Sequence, residues 1–267
     1  MTKPDSAAAF HALHQPGNIL VLANCWDAAS ARLAEESGAK AIATSSASLA
    51  WCHGFADGQA LPKDVFLAAV REIIAAVRIP VTVDNEAGFS DDPDEVVKFV
   101  GALGDAGAVG INLEDGKRTV ALHASKIAAV KKAFGKDIFI NARTDVYLQK
   151  LVAADKAVGE SVARAKTYAD AGADGIFVPA VIALDEIAQI AKAVSLPLNV
   201  LALKGVAPVA ALKDAGVRRL STGAGPGRAA YGAAFRAMTQ LYSEGRYDAM
   251  FAEMEGLGNL NALLTRS

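Results

Sequence analysis

Apolar residues fall in eight short runs along the chain, each followed by a stretch whose apolar positions recur at helical spacing. The runs occupy 19–22, 41–44, 81–83, 109–113, 138–140, 175–178, 198–201 and 219–221. They are almost continuously apolar, as parallel strands covered on both faces would be. The intervening pattern predicts helices over 28–36, 64–77, 93–103, 125–134, 154–171, 184–194, 206–214 and 228–242. A weak echo marks their junctions: Glu36-Ser37-Gly38-Ala39, Asp105-Ala106-Gly107-Ala108, Asp170-Ala171-Gly172-Ala173 and Asp214-Ala215-Gly216-Val217. In each, the glycine stands where a helix ends on a left-handed residue before a strand begins.

Strict alternation of eight βα units in about 240 residues predicts an α/β fold, a closed (β/α)8 barrel of TIM type. The competing architecture is a doubly wound open sheet. Its dinucleotide fingerprint is missing, because Gly223-Ala224-Gly225-Pro226-Gly227 has the wrong spacing and follows the last run instead of the first. A catalytic barrel domain over 1–245 is expected, with an additional C-terminal helical tail over 246–267. That tail is rich in apolar residues, among them Met250, Phe251, Met254 and Leu260. It either packs back on its own barrel or makes a subunit contact. The second is favoured, since the barrel already has eight helices.

Composition narrows the function classes. Of 267 residues 52% are hydrophobic, enough for a large core, and 27 basic against 29 acidic residues leave a net charge of −2. Without a basic run, nucleic acid and anionic membranes are excluded as partners. No apolar stretch approaches the ~20 residues needed to span a bilayer. The first ten residues lack the charged and apolar regions of a secretory signal, so a cytoplasmic protein is expected. Cys25 and Cys52 form neither a disulfide framework nor a CxxC motif, although both lie near the ends of early strands.

Carboxylates at strand ends carry the chemistry. Val81-Thr82-Val83 leads into Asp84-Asn85-Glu86, and 109–113 leads into Glu114-Asp115. Strand ends line the active-site face of a barrel, where Asn24, Ser45, Asp84, Glu86, Glu114, Arg143, Pro179 and Ser221 would meet. Asp84, Glu86 and Glu114 form an oxygen-rich set that selects Mg²⁺, or Mn²⁺, over zinc. The competing reading is salt bridging at the starts of loops. Arg143 either clamps a substrate carboxylate or phosphonate or pairs internally with Asp145 or Glu114. The turn Thr44-Ser45-Ser46-Ala47-Ser48 offers hydroxyls and backbone N–H groups to an anionic oxygen. The loop 48–61, with Trp51, His53 and Asp57, is long enough to be a lid. Trp26 and Trp51 read as packing residues, and His11 and His14 as surface residues ahead of the barrel.

Taken together, 45–61, Val83-Asp84-Asn85-Glu86-Ala87-Gly88-Phe89, Gly110-Ile111-Asn112-Leu113-Glu114-Asp115 and Asn141-Ala142-Arg143-Thr144-Asp145 resemble the isocitrate lyase/phosphoenolpyruvate mutase superfamily. The resemblance covers residues 10–240. It implies a Mg²⁺-dependent barrel that cleaves or rearranges C–C or C–P bonds of 2-oxo or enol carboxylates, and a tetramer built through exchanged C-terminal helices. By motif, Asp84 is implied as the principal metal carboxylate, with Asp57, Glu86 and Glu114 holding metal-bound waters or completing the shell. Ser45, Ser46, the backbone at Ala47, and Arg143 are implied to bind the substrate's anionic group. Glu86 stands where the family has aspartate.

The gating segment departs most. Lyases of the family carry a Lys-Lys/Arg-Cys-Gly-His run there, whereas Glu114-Asp115-Gly116-Lys117-Arg118-Thr119-Val120-Ala121-Leu122-His123 has no cysteine. The mutase's Lys-Thr-Asn loop is also missing. The resemblance then implies C–C cleavage through a metal-stabilised pyruvate enolate, with oxaloacetate decarboxylation or a related oxo-acid lyase step favoured. Asp57, Lys117 and Arg143 are the candidate catalytic residues, and Lys117, His53 or a metal-bound water would donate the proton. The alternatives are a phosphonopyruvate-type C–P enzyme and a catalytically silent oxo-acid-binding protein.

Overall fold

A computed structural model describes residues 3–252 and 254–265. Met1, Thr2, Glu253, Arg266 and Ser267, the last three in the expected helical tail, lie outside the described residues. Eight strands form: β1 (Leu20–Cys25), β2 (Ile42–Thr44), β3 (Val81–Asp84), β4 (Gly110–Glu114), β5 (Phe139–Arg143), β6 (Gly175–Val178), β7 (Leu198–Leu201) and β8 (Arg219–Ser221). They are parallel, run around the barrel in chain order, and close where Leu22 of β1 meets Ser221 of β8. The (β/α)8 barrel is confirmed.

The strands are less uniformly apolar than the sequence suggested. Ile111, Leu113, Ile140, Ala142, Ile176 and Val200 face outward into one large core shared with the helices. Alternate residues face the axis, as the two-residue strand period requires. There Asn112 on β4 is bonded to Asn141 on the neighbouring β5 and to Arg219 on β8 across the barrel. Thr82, Asn199 and Ser221 share this buried polar interior. A (β/α)8 interior is usually filled by branched apolar residues. Here the upper layers are polar.

The lower layer is apolar and has its own lid. Helix α1 (Lys3–Ala12) carries Phe10 against Phe139 at 5.5 Å, edge to face, in a second core with Leu20, Leu22, Ala41 and Ala43. His14 is stacked on the same Phe139 ring at 4.2 Å and is buried, which corrects its reading as a surface residue. Burial, seconded by the Arg219 charge, lowers its pKa to about 3. The neutral ring donates from Nδ1 to the Phe10 carbonyl at 2.9 Å. His11 does lie at the rim, 3.1 Å from the Lys136 carbonyl.

Between the strands run α2 (Ala28–Glu36), α3 (Ser46–Cys52), α4 (Lys63–Ala76), α5 (Pro93–Asp105), α6 (Val120–Phe134), α7 (Ala157–Asp170), α8 (Leu184–Ala193), α9 (Val209–Asp214) and α10 (Gly225–Glu244). Helix α3 replaces the first part of the expected 48–61 loop, because Ser45 caps it. Helix α6 starts five residues earlier than its periodicity suggested, capped by the Thr119 hydroxyl. In the tail, α11 (Asp248–Ala252) packs on α10, while α12 (Leu260–Leu264) packs on α2, where Arg32 Nη2 donates to the Leu263 carbonyl at 3.2 Å. No helix among the described residues is long and apolar enough to cross a membrane.

Candidate active site

The carboxyl ends of β2 to β5 gather the polar side chains. At the end of β2, Ser45 is occupied as a helix cap: its Oγ accepts from the Ser48 amide at 3.2 Å and donates to Ser48 Oγ at 3.1 Å. Ser46 reaches the neighbouring strand, donating from Oγ to Asp84 Oδ2 at 2.8 Å and from its amide at 3.3 Å. The Ala47 amide, one step into α3, has no intramolecular partner among the described residues.

Asp84 ends β3 and meets hydrogen-bond donors on both oxygens. Oδ1 faces Asn112 Nδ2 at 3.4 Å. The orientation of that amide is dictated from below. Asn141 Nδ2 at 2.8 Å and Arg219 Nη2 at 3.3 Å both donate to Asn112 Oδ1, which leaves the NH₂ group for Asp84. Sequence reasoning missed Asn112, Asn141 and Arg219. The two asparagines carried a signal, a single polar residue between apolar neighbours in Ile111-Asn112-Leu113 and Ile140-Asn141-Ala142.

Glu86 lies in the turn after β3 with a left-handed φ of 46°, and Phe89 three residues on has 57°. Its buried carboxyl is pushed up to about 8 by burial first, then by Asp84, Asp57 and Glu114. Glu114 ends β4 and pairs with Arg143 Nη1 at 2.7 Å. Burial drives its pKa up to about 7 against the pull of that guanidinium. Arg143, ending β5, also holds Asp145 through Nε at 2.7 Å and Nη2 at 3.1 Å. Burial opposes the charge, yet Glu114, Asp145 and Asp84 hold the guanidinium above its usual value. The internal pairing of Arg143 is therefore real, with both expected partners.

Asp115 does not face the mouth. Fully buried, it accepts from the Asp145 amide at 2.9 Å, Arg164 Nη1 at 2.8 Å and Tyr168 OH at 2.7 Å. It ties the turn after β4 to the turn after β5, a role that the bare acidic pair did not disclose. Asp57 lies exposed on the loop after α3. Partial desolvation and then Asp84 raise its carboxyl, so it belongs to the same electrostatic cluster. Lys117 and His53 are exposed and make no ion pair or side-chain hydrogen bond among the described residues. Cys25 is buried and its thiol is pushed up to about 12 by burial and Asp27, which makes it inert. Asn24 is a stitch between strands, accepting from the Thr222 and Gly223 amides at 2.9 Å each. Trp26 packs against the large core.

Among the described residues no three His, Cys, Asp or Glu side chains converge as a ready-made metal cage. The donor set nevertheless fits a hard cation. Asp57, Asp84, Glu86 and Glu114 load one mouth with acids; burial first and then their mutual repulsion raise the carboxyls of Asp57, Glu86 and Glu114, while Arg143 is shared by Glu114 and Asp145. Mg²⁺ takes one or two carboxylates directly and keeps several waters, so it needs no three-residue cage.

The pattern of the phosphoenolpyruvate phosphomutase family matches residues 10–242. The chain is a member of that family. It thereby belongs to the isocitrate lyase/phosphoenolpyruvate mutase superfamily, whose members include lyases and mutases. An uncharacterised protein of Mycobacterium tuberculosis (strain H37Rv) is 36% identical over 222 residues, covering 82% of this chain and 83% of that one. The 2-methylisocitrate lyase of Escherichia coli K12 is 30% identical over 205 residues, 71% of this chain and 67% of its own length. A crystal structure from Burkholderia cenocepacia J2315, provisionally described as a lyase/mutase, superposes with a TM-score of 0.91 at 32% identity, covering 99% of this chain and 97% of the other.

Proposed function

We propose that this phosphomutase-family chain cleaves a C–C bond in a small 2-oxo carboxylic acid, with oxaloacetate decarboxylation the favoured form. The observation that carries the reading is the acid-loaded mouth, Asp84 with three other carboxyl groups, Asp57, Glu86 and Glu114, and donors fixed beneath it. Asp84 would hold Mg²⁺ or Mn²⁺ directly, with Asp57, Glu86 and Glu114 completing the shell or holding its waters. When bound, the cation supplies Lewis-acid stabilisation of negative charge at the substrate's C2 oxygen.

The chain's own groups orient the substrate. Arg143 and the Ser46–Ala47 segment flank Asp84 and would grip the carboxylates, with the Ala47 amide, unpartnered among the described residues, donating to one oxygen. That grip sets the C3–carboxyl bond perpendicular to the C2 carbonyl plane. Its electron pair then flows toward C2 as CO₂ leaves, and C3 is protonated to give pyruvate. Lys117, held by no ion pair on the turn after β4, is the proposed proton donor. Decarboxylation asks the least of such a donor, which suits a gating segment without cysteine. The reading includes a cytoplasmic location and a homotetramer.

The test is pyruvate release from oxaloacetate by purified protein with Mg²⁺ or with EDTA, corrected for the metal's own catalysis. Turnover that EDTA abolishes and Asp84→Ala reduces by at least 10²-fold is expected. Turnover untouched by either change would overturn the reading. The match to a phosphomutase family supports a second reading, C–P chemistry on a phosphonopyruvate-like acid. Turnover of that acid with inertness toward oxaloacetate would select it, and binding without turnover of either would select a silent oxo-acid-binding protein.

A further inference from the structure

The loop that joins α3 to α4 is fastened to the acidic turn by one residue. Gln59, in a left-handed conformation with φ 64°, points its side-chain amide at the backbone N–H groups of Ala87 and Phe89. Two donors on one side require the amide oxygen there, and that oxygen accepts from them at 3.1 and 3.3 Å. Two hydrogen bonds accepted by Gln59 therefore hold 86–89, a segment with two left-handed non-glycine residues, Glu86 and Phe89. Such a conformation strains a residue that carries a Cβ and persists only where its surroundings hold it.

The opposite side of the turn is held as well. Lys126, fully buried, donates from Nζ to the Ala87 carbonyl at 3.1 Å and to Asp91 at 2.9 Å. The turn is thus gripped between α6 and the loop, and of the two grips only Gln59 sits on a segment with few other ties. From His53 to Ala60 that loop is exposed apart from half-buried Gln59, and it carries Asp57 two residues before it.

We propose that Gln59 is a positioning residue: it docks the 53–62 loop onto the 86–89 turn, so that Asp57 and Glu86 enter the acidic mouth together. The assignment rests on the reading of that mouth as a cation site, but its structural half is testable separately. A loop that undocks withdraws Asp57 and frees the Ala87 and Phe89 amides that follow Glu86 in a single step, which makes Gln59 the coupling between access to the mouth and completion of its acid set.

Three variants separate the causes. Gln59→Gly relieves the left-handed backbone but removes the acceptor. Gln59→Leu removes the acceptor and keeps the bulk. Gln59→Glu keeps an oxygen for both N–H groups. Hydrogen exchange followed by NMR should show the Ala87 and Phe89 amides exchanging at least tenfold faster in the Gly and Leu variants, with protection restored in the Glu variant. Mn²⁺ binding, read by electron paramagnetic resonance, should weaken about tenfold in the Gly variant while Tm moves little. Unchanged exchange at Ala87 and Phe89 would overturn the proposal. So would faster exchange with wild-type Mn²⁺ affinity, since that would leave Gln59 a structural tie only. Asp84→Asn is the control for the cation reading: if it binds Mn²⁺ as wild type does, that reading fails, and accelerated exchange in Gln59→Gly still supports the docking.

Discussion

Glu86 concentrates the electrostatic conflict of the mouth. Its folded pKa of about 8 stands above the ordinary carboxyl value, so the folded state binds the proton more tightly than the unfolded chain does. Stability contributed by the protonated form is full below the unfolded value of 4.5 and is lost as pH rises through 8. Glu114, pushed to about 7, titrates with it as a coupled set. In the metal-free protein, Tm should therefore fall between pH 5 and pH 8, and added Mg²⁺ should recover part of the loss. Glu86→Gln should flatten this dependence and raise stability at pH 8 by about 1 kcal/mol, some 2–4 °C in a chain of this size, measured by calorimetry. A pH profile as steep as wild type would show that Glu86 is not the group responsible. For Arg143→Lys, a kcat/KM loss of at least tenfold is expected together with a lower Tm, because an ammonium cannot reproduce the planar fork that holds Glu114 and Asp145 together.

At the scale of elements, α1 is the floor of the barrel. Phe10 is fully buried against Phe139, and an alanine there would leave a cavity that the surrounding strands cannot close. Phe10→Ala should cost about 3–5 kcal/mol in urea unfolding. The helices and strands themselves were legible in the sequence, because the two periods of hydrophobicity, 3.6 and 2, are local properties. Helix α1 was not. Its apolar residues, Ala7 and Phe10, make only a short stripe, and its worth comes from strands as far along the chain as β5, which no local period reveals. The acids and Arg143 were legible because strand ends are visible as ends of apolar runs. Asp115 read as a partner of Glu114, yet adjacent residues on a strand point to opposite faces, and Asp115 serves Tyr168 and Arg164 behind the site. Gln59 could not be read at all. Its partners are backbone amides, which every sequence has.

For the whole molecule, the C-terminal region leaves a large apolar surface in water. Tyr242 is 86% exposed and Phe235 73%, both on α10, and Phe251 on α11 is 59% exposed. Patches of this kind mark interfaces. Within the chain α12 touches α2, and the exposed aromatic residues of α10 and α11 support the favoured reading of the tail as a subunit contact, which is the one proposed. Sedimentation should find an oligomer, and Phe235→Glu with Tyr242→Glu should shift it toward monomer while the circular dichroism spectrum stays that of the barrel. A wild-type monomer at micromolar concentration would remove the tail from any role in assembly.

The polar interior has a consequence for how such a protein can change. Asn112, Asn141 and Asn199 lie beneath the carboxylates as neutral amides on three strands. Each is one isosteric step from aspartate, so the charge beneath the mouth can be rewritten without altering the volume of the barrel or the path of its backbone. A lineage carrying this floor can drift in which anion or cation it favours by recharging amides from below, leaving the loops, the caps and the outer helices as inherited.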